Sequence, residues 1–380
     1  MINNYPLFKI NFSGNEVNSF KKIIDSGWIS PGEYTKELES TFSKEFLDNQ
    51  ECITTSSCTT ALMMALKLSN VGKGDKVLIS GLNFISVVNN ILHLGATPVL
   101  IDSKSVEEPN LSFADLKEKI SRDIKALVVV HFAGYLVDHM NEIRDLCIDN
   151  GVILIEDAAH APIASDKHGK KAGTFGEFSC FSFFSNKNIP AGEGGILSFN
   201  EKYEYSDINS LKSHGMSVLT QDRYKKSSLD YDVSRVGYNF RMPELSCALA
   251  LEQAKQYLHS GVSKRREIIK MYREFLSGSN IRVIFNNDAD QFSAPHICSI
   301  LLPKNTDRKF FQIELQRFGI QTSMHYPNLK GFSALSELLS EEVTVNVDEY
   351  TQRCISVPLY EELNENDIKF ICDKLLKLHG

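Results

Sequence analysis

The sequence lacks several features that would place it in a special class of protein. No apolar run approaches the about 20 residues of a membrane-spanning helix, and the N-terminus shows no secretory signal peptide. Positive charge is scarce, because 41 basic residues stand against 48 acidic ones and give a net charge of −7. We therefore expect no nucleic acid and no membrane as partners, although a local basic pocket for a phosphate stays open.

Clustered metal ligands and paired cysteines are also absent from the sequence. The eight cysteines are scattered without a Cys-x-x-Cys pair, which argues against a zinc cluster and against a disulfide framework. The ten histidines include no His-Glu-x-x-His arrangement, so we expect no metal site. These absences predict a soluble, cytoplasmic protein with buried, reduced thiols.

Short apolar runs alternate with helix-like stretches from about residue 52 onward. The predicted elements are strands at 76–80, 97–102, 126–131 and 152–156, and helices at 86–94, 139–149, 244–259 and 263–276. This alternation is typical of βαβ units, so we predict an α/β fold with a mostly parallel sheet. Since 380 residues exceed the size of one hydrophobic core, we expect a large domain over 1–249 and a smaller one over 250–380.

Two side chains near predicted strand ends match groups that pyridoxal phosphate requires from a protein. Asp157 directly follows an apolar strand, where a carboxylate at the sheet's ligand edge would keep the pyridine nitrogen protonated. Local sequence alone explains Asp157 better as a helix N-cap. Lys187 follows a Phe-rich run, where partial desolvation would lower its pKa and free the amine for a Schiff base. An isolated loop lysine, in contrast, is normally a solvated charge.

The cofactor's other two requirements are an anion site and a flat side chain against the ring. The segment Thr55 to Thr60 places small hydroxyl residues before a helical run, where backbone N–H groups and the helix dipole attract a phosphate. A simple N-cap explains this segment equally well. Phe84 is the candidate ring cover, although a buried core position is the usual explanation for one phenylalanine.

The order of the motifs is more specific than any one of them. In sequence they are Ser57-Cys58-Thr59, Phe84, His131, Glu156 to His160, Ser182 with Lys187, and Gly237 to Arg241. Together they resemble the DegT–DnrJ–StrS family of sugar aminotransferases, within the fold-type I (aspartate aminotransferase-like) superfamily. The resemblance extends over nearly the whole chain and implies a large, mostly parallel sheet domain with a smaller C-terminal α+β domain.

The resemblance also implies a role for each matching residue. Lys187 would bind the cofactor covalently and then move the proton, Asp157 would pair with the ring nitrogen, and His160 would lie near the phenolic oxygen. The implied phosphate ligands are Ser57, Cys58, Thr59 and Ser182; Phe84 would stack on the ring; and the implied substrate-side residues are Trp28, Ile29, His325 and Tyr326. Asn239 would reach the neighbouring subunit's phosphate with Arg241 nearby, so a homodimer with shared sites is implied.

Three positions compare informatively with the family pattern. Cys58 stands where the family usually has glycine, and His160 stands where many members have glutamine. Family members that act as dehydratases carry histidine in place of the lysine, and Lys187 separates this sequence from them.

The resemblance predicts an aminotransferase that uses pyridoxal 5'-phosphate, with the pyridoxamine form as intermediate. Glutamate or glutamine would donate the amine to a keto-sugar, namely a nucleotide-linked 3- or 4-keto-deoxyhexose for surface polysaccharide or antibiotic sugars. A free keto-sugar or keto-sugar acid is the alternative substrate. A non-catalytic, cofactor-binding regulatory protein is the alternative of another class.

Overall fold

A seven-stranded sheet forms the centre of the computed structural model, which describes residues 4–216 and 232–379. Its strands are β1 (Cys52–Thr55), β2 (Lys76–Ser80), β3 (Thr97–Ile101), β4 (Ile124–Val130), β5 (Ile153–Asp157), β6 (Phe178–Ser182) and β7 (Gly195–Phe199). Their order across the sheet is β1-β7-β6-β5-β4-β2-β3. Within this sheet β7 alone runs antiparallel to its neighbours. The predicted mostly parallel sheet is confirmed.

Helices cover both faces of this sheet, which is why its strands read as continuous apolar runs rather than alternating ones. One face packs against α3 (Cys58–Leu68), α4 (Ile85–His93) and α7 (Tyr205–Lys212). The other face packs against α2 (Glu33–Phe46), α5 (Phe113–Lys119), α6 (Met140–Asn150) and α8 (Glu244–Gln256). A first helix, α1 (Asn15–Ser26), lies against α8.

The predicted strands and helices of the sheet region agree with the observed bounds to within two residues. The prediction of two separate helices over 244–276 is wrong, because one turn of π-helix (Tyr257–Gly261) joins α8 to α9 (Val262–Phe275). Gly261 keeps helical dihedral angles there, with φ −61° and ψ −47°. A Cβ at this position would lie 2.8 Å from both Tyr257 and Glu361, so glycine allows close packing here rather than ending the helix.

A second, three-stranded antiparallel sheet lies toward the C-terminus. Its order is β10 (Cys354–Val357), β9 (Cys298–Leu301) and β8 (Arg282–Val283). The remaining helices of this region are α10 (Asn287–Asp290), α11 (Arg308–Arg317), α12 (Val345–Arg353) and α13 (Glu365–His379). Tyr5, near the N-terminus, packs into the same apolar cluster as β9 and α13. The domain limits 1–249 and 250–380 stay a prediction.

Three features of the described residues bear on the expected class of protein. All eight cysteines are buried as free thiols. In the described ranges, no helix combines the length and apolar character needed to cross a membrane. The same ranges contain no group of three or more histidine, cysteine or acidic side chains arranged to hold a metal ion.

Candidate active site

A cavity of about 400 Å³ opens at the carboxyl edge of the large sheet. This volume is within the range of about 300–1,000 Å³ that is usual for small-molecule sites. The predicted residues that line it are Ser57, Cys58, Thr59, Phe84, Asp157, His160, Ser182, Lys187, His325 and Tyr326. A larger cavity of about 660 Å³ beside Tyr135 and His139 contains none of the predicted residues. The fold therefore brings together most of the residues that the sequence analysis singled out.

The anion site is the start of α3, directly after β1. Ser57 caps this helix, because its Oγ accepts the Thr60 N–H at 3.2 Å while Thr60 Oγ1 accepts the Ser57 N–H at 3.1 Å. The simple N-cap explanation is thus right for the Ser57 hydroxyl. The N–H groups of Cys58 and Thr59, however, have no acceptor within the described residues. Two free donors at the positive end of an 11-residue helix suit a phosphate.

Ser182 reaches the same place because of the strand register. Both Ser182 on β6 and Thr55 on β1 pair with Gly195 on β7. A Cβ at Gly195 would lie 2.7 Å from the backbone nitrogen of Cys58, so glycine allows β7 to pass against the helix start. The glycine-rich segment 192–195, which follows Lys187, therefore permits a close approach of its backbone to the anion site.

Asp157 ends β5 and is 6% exposed. Its Oδ1 accepts the Ala159 N–H at 3.1 Å, and the Cys58 thiol lies 4.0 Å away. The helix N-cap interpretation is wrong, since a turn follows Asp157 rather than a helix. Burial raises the pKa of this carboxyl, while the Ala159 N–H and the Lys187 charge act in the opposite direction. Its Oδ2 has no donor in the described part of the chain, so a cationic ring nitrogen would supply a missing partner.

Glu156, the neighbour of Asp157, points to the other face of the sheet and stabilises this strand end. Its carboxylate accepts three backbone N–H groups of the loop 173–176, each at 2.7 Å. It also lies 2.8 Å from His131 Nε2. His131 Nδ1 accepts the Val137 N–H at 3.2 Å, so the proton of a neutral ring is on Nε2 and is donated to Glu156. Both side chains are fully buried, so His131 supports β4 and β5 from outside the cavity.

Lys187 follows β6 and places its amine inside the cavity. Its Nζ lies 3.4 Å from Nε2 of His296. Burial lowers the pKa of Lys187 to about 8, although Asp157 and Cys58 act in the opposite direction. This agrees with the prediction that a lysine after the Phe-rich strand would have a lowered pKa, and it makes the amine available near neutral pH.

His160 and Tyr326 form a hydrogen-bonded pair on another wall. His160 Nδ1 accepts the Ala133 N–H at 3.3 Å, and its Nε2 lies 2.8 Å from Tyr326 Oη. Burial lowers the pKa of His160 well below its usual value, and the Lys187 charge lowers it further. The ring is therefore neutral with its proton on Nε2, which it donates to Tyr326. The Tyr326 O–H is then free to donate into the cavity.

Phe84 and His325 complete the predicted part of the cavity wall. Phe84 is 51% exposed, so the alternative of a buried core phenylalanine is wrong. Its ring centre lies 5.5 Å from that of Tyr326. His325 Nδ1 lies 2.8 Å from Ser356 Oγ, and burial lowers the pKa of His325 to about 4.

Four predicted residues do not line this cavity in the single chain. Trp28 donates from Nε1 to the Pro31 carbonyl at 3.2 Å and borders a separate cavity, and Ile29 is 61% exposed. Asn239 is exposed and Arg241 is partly exposed. The segment between them is nevertheless attached to the anion site, because Ser56 donates its N–H to the Phe240 carbonyl at 2.8 Å.

Comparison with known proteins identifies the family. The model of the DegT/DnrJ/EryC1/StrS aminotransferase family matches residues 11–376. The chain belongs to this family. It is 32% identical to the GDP-perosamine synthase of Vibrio cholerae over 378 residues, which cover 97% of both chains. It is also 32% identical to the UDP-4-amino-4,6-dideoxy-N-acetyl-beta-L-altrosamine transaminase of Campylobacter jejuni, over 97% of this chain and 96% of the other.

Solved structures support the fold assignment. PseC from Helicobacter pylori, an aminotransferase in pseudaminic acid biosynthesis, aligns with a TM-score of 0.91 over 99% of both chains at 23% identity. The protein is therefore a fold-type I, pyridoxal-phosphate-dependent aminotransferase of the DegT/DnrJ/EryC1/StrS family.

The observed cavity fits the cofactor of this aminotransferase family. It presents an amine, a carboxylate with one oxygen short of a donor, and two free N–H groups at a helix start. The amide of Asn83 adds a further polar group, since it is 1% exposed, lines the cavity and has no partner among the described residues for either its oxygen or its nitrogen. A buried amide without partners is costly, so a bound ligand would stabilise it.

Sequence reasoning missed Asn83 and His296 as site residues. Asn83 stands directly before Phe84, but no motif gives it a role. His296 stands alone before β9 without any motif around it, so its proximity to Lys187 becomes visible only in three dimensions.

Proposed function

We propose that the protein transfers an amino group from glutamate, or glutamine, to a nucleotide-linked 3- or 4-keto-deoxyhexose. The product would serve bacterial surface polysaccharide or antibiotic sugar biosynthesis. One observation supports the reaction above all: Lys187, with a pKa lowered to about 8, shares one cavity with Asp157 and with the helix start at Cys58. The sugar is supported by the relatives, whose names describe aminated sugars carried on GDP and UDP.

Lys187 has the properties of the group that bonds to the cofactor and then moves the proton. When bound, pyridoxal phosphate supplies the electron sink that stabilises negative charge on the substrate carbon. Near neutral pH an amine with a pKa of about 8 exists in both protonation states. Lys187 can therefore take a proton from the substrate and give it back, as general base and then general acid.

The remaining proposed roles follow from the cavity walls. Asp157 would hold the ring nitrogen protonated, and Phe84 would cover the ring. Ser57, Cys58, Thr59 and Ser182 would bind the phosphate. His160 would hold Tyr326 so that the free tyrosine O–H, with His325 beside it, meets a cofactor or substrate oxygen. Trp28 and Ile29 keep the substrate-side role that the family resemblance implies, and no contact inside this cavity adds to it.

A substrate panel tests the proposed reaction. The full chain would be loaded with pyridoxamine phosphate and then mixed with one acceptor at a time. The acceptors are UDP- and GDP-linked 4-keto-6-deoxyhexoses, the matching 3-keto sugars, free keto-sugars and 2-oxoglutarate. We expect a nucleotide-linked keto-sugar and 2-oxoglutarate to restore the absorbance of the aldehyde form. Fastest restoration by a free keto-sugar would favour the alternative substrate. Failure of every acceptor, with the cofactor bound, would favour a regulatory binding protein.

A homodimer with shared active sites is the second part of the proposal. Asn239 and Arg241 lie on the surface, while the intervening Phe240 is bonded to the anion loop. Apolar side chains are exposed in the same sequence region and near the cavity, such as Val236 at 91% and Phe184 at 45%. A phosphate dianion also needs more donors than one helix start provides. We therefore assign Asn239 to the phosphate of the partner's site.

Mixing two inactive variants tests this assignment. We expect Asn239→Ala to weaken cofactor retention and Lys187→Ala to abolish activity, while their mixture regains part of it. In a mixed dimer one site carries both intact residues and the other carries both lesions. Subunit exchange would be verified with differently tagged chains. An inactive mixture despite proven exchange would mean that Lys187 and Asn239 serve one site from one chain.

The cytoplasm is the proposed compartment. All eight cysteines are free and buried, and burial raises the thiol pKa of Cys58 and Cys180 well above the usual value. Unpaired thiols are typical of proteins in reducing compartments. Nucleotide-linked sugars, the proposed substrates, would have to be present in the same compartment.

A further inference from the structure

His296 occupies a position beside Lys187 that neither the motifs nor the proposed roles include. Its Nε2 lies 3.4 Å from Lys187 Nζ, and the imidazole is 5% exposed. The two residues come from different parts of the fold, since Lys187 follows β6 of the large sheet and His296 precedes β9 of the small one. In the described ranges no other side chain or backbone group forms a hydrogen bond with this amine.

The protonation state of His296 follows from its other neighbour, Asn188. The Asn188 Nδ2 donates to the Ala294 carbonyl at 3.0 Å and to Tyr257 Oη at 3.1 Å. A backbone carbonyl only accepts, so the amide orientation is determined and Asn188 Oδ1 faces His296 Nδ1 at 3.3 Å. His296 must then donate from Nδ1, which leaves the Nε2 lone pair directed at Lys187.

We propose that His296 is the positioning residue that holds the Lys187 amine whenever this amine is not bonded to the cofactor. The inference rests on the proposed function, which makes Lys187 the group that moves the proton. An uncharged amine donates one N–H to His296 Nε2 and keeps its lone pair for the substrate. After it has taken a proton, the ammonium still donates to the same nitrogen. One geometry therefore serves both states of Lys187 without a rearrangement.

The charges around Lys187 agree with this assignment. Burial and the Lys187 charge lower the pKa of His160 and of His296 well below the usual value, and that of His325 to about 4. All three imidazoles facing the cavity are thus neutral near pH 7, and His296 can accept. Asp157 is the carboxylate that acts on the amine.

The test measures the pH dependence with which Lys187 captures the cofactor. Full-length protein stripped of cofactor would be mixed with pyridoxal phosphate, and the rate of absorbance change followed from pH 6 to 10. In the wild-type protein this rate should rise with pH through a midpoint near pH 8 and level off above it, because only the free amine attacks. His296→Leu removes the imidazole nitrogen that accepts a hydrogen bond from the Lys187 ammonium. The pKa of Lys187 should then fall, and with it the midpoint of the pH profile, by about one to two units.

Two further variants separate positioning from damage to the fold. His296→Gln keeps a neutral acceptor near Nζ, so its midpoint should stay close to that of the wild-type protein. Tyr257→Phe is the matched control, since it removes a hydroxyl three hydrogen bonds away from Lys187 and leaves Asn188 bonded to Ala294. The pH midpoint of cofactor capture in Tyr257→Phe should equal that of the wild-type protein. At steady state, His296→Leu should lower kcat about 10- to 100-fold with little change in KM, and His296→Gln should recover most of the loss.

A spectroscopic measurement on the unmodified protein gives a reading that is independent of variant folding. In ¹⁵N-histidine-labelled protein, the His296 signal, assigned by its loss in His296→Gln, should show the neutral form protonated on Nδ1 at pH 7. The opposite tautomer, or an imidazolium, would overturn the proposal, as would an unmoved midpoint in soluble His296→Leu protein. These failures differ from failure of the proposed function, in which Lys187→Ala would retain turnover and borohydride would not attach the cofactor to Lys187.

Discussion

Replacing Lys187 with alanine should reduce turnover by about four orders of magnitude or more. The variant loses both the amine that bonds to the cofactor and the group that moves the proton, and among the described residues that line the cavity there is no second lysine. Borohydride treatment of the wild-type protein should attach the cofactor irreversibly to the peptide that contains Lys187. The same treatment of Lys187→Ala should attach none.

A matched control is available in Lys202, an exposed lysine that forms a surface ion pair with Glu177. Lys202→Ala should retain wild-type turnover and wild-type labelling, because isolated surface ion pairs contribute little. A small primary amine added to Lys187→Ala should restore part of the single-turnover rate, since it can occupy the space of the lost side chain. Normal turnover of Lys187→Ala, with its cofactor bound, would contradict the assignment of Lys187.

The residues that sequence reasoning located correctly are those at strand ends of the large sheet. Asp157 and the loop before Cys58 each adjoin a parallel strand, and parallel strands of one sheet bring their carboxyl ends to one edge. Lys187 follows β6 at the same edge. A predicted strand placed Asp157 at this edge, whereas Cys58 and Lys187 were grouped with it by the order of the motifs that resemble the family.

The residues that escaped sequence reasoning depend on contacts between distant segments. His296 lies 109 positions from Lys187 in the chain, and the loop before β9 carries no motif. The π-helical turn that ends at Gly261 also lies against a distant segment, because a Cβ at Gly261 would come within 2.8 Å of Glu361. Neither effect has a local signal in the sequence.

The structure also decides whether Ser57 and Asp157 act as helix caps, which the local sequence had left open. Ser57 is a helix cap and at the same time leaves the next two N–H groups free, so the cap and the anion site are one feature. Asp157, in contrast, does not cap a helix, because the chain turns after it and Ala159 returns its N–H to the carboxylate. Local sequence could not separate these outcomes, since a cap depends on the path of the following chain.

Replacing Asp157 with asparagine should slow both half-reactions by about two to three orders of magnitude, while the cofactor still binds. The amide keeps the size of the side chain and can still accept the Ala159 N–H, but it removes the negative charge that faces the ring nitrogen. A ring that is not held protonated is a poorer electron sink, so the loss should appear in single turnovers with glutamate and with the keto-sugar alike.

The charge of Asp157 should also be measurable without turnover. This carboxylate raises the pKa of Lys187 against the effect of burial, so Asp157→Asn should lower the pH midpoint of cofactor capture below about 8. Asp157→Glu retains the charge at a greater length and should retain more activity than Asp157→Asn. A cofactor analogue with carbon in place of the ring nitrogen should slow the wild-type protein strongly and Asp157→Asn only slightly further, because both changes remove the same interaction. Unchanged half-reactions in Asp157→Asn, with an unchanged midpoint, would mean that Asp157 only closes the turn at Ala159 and that another group protonates the ring.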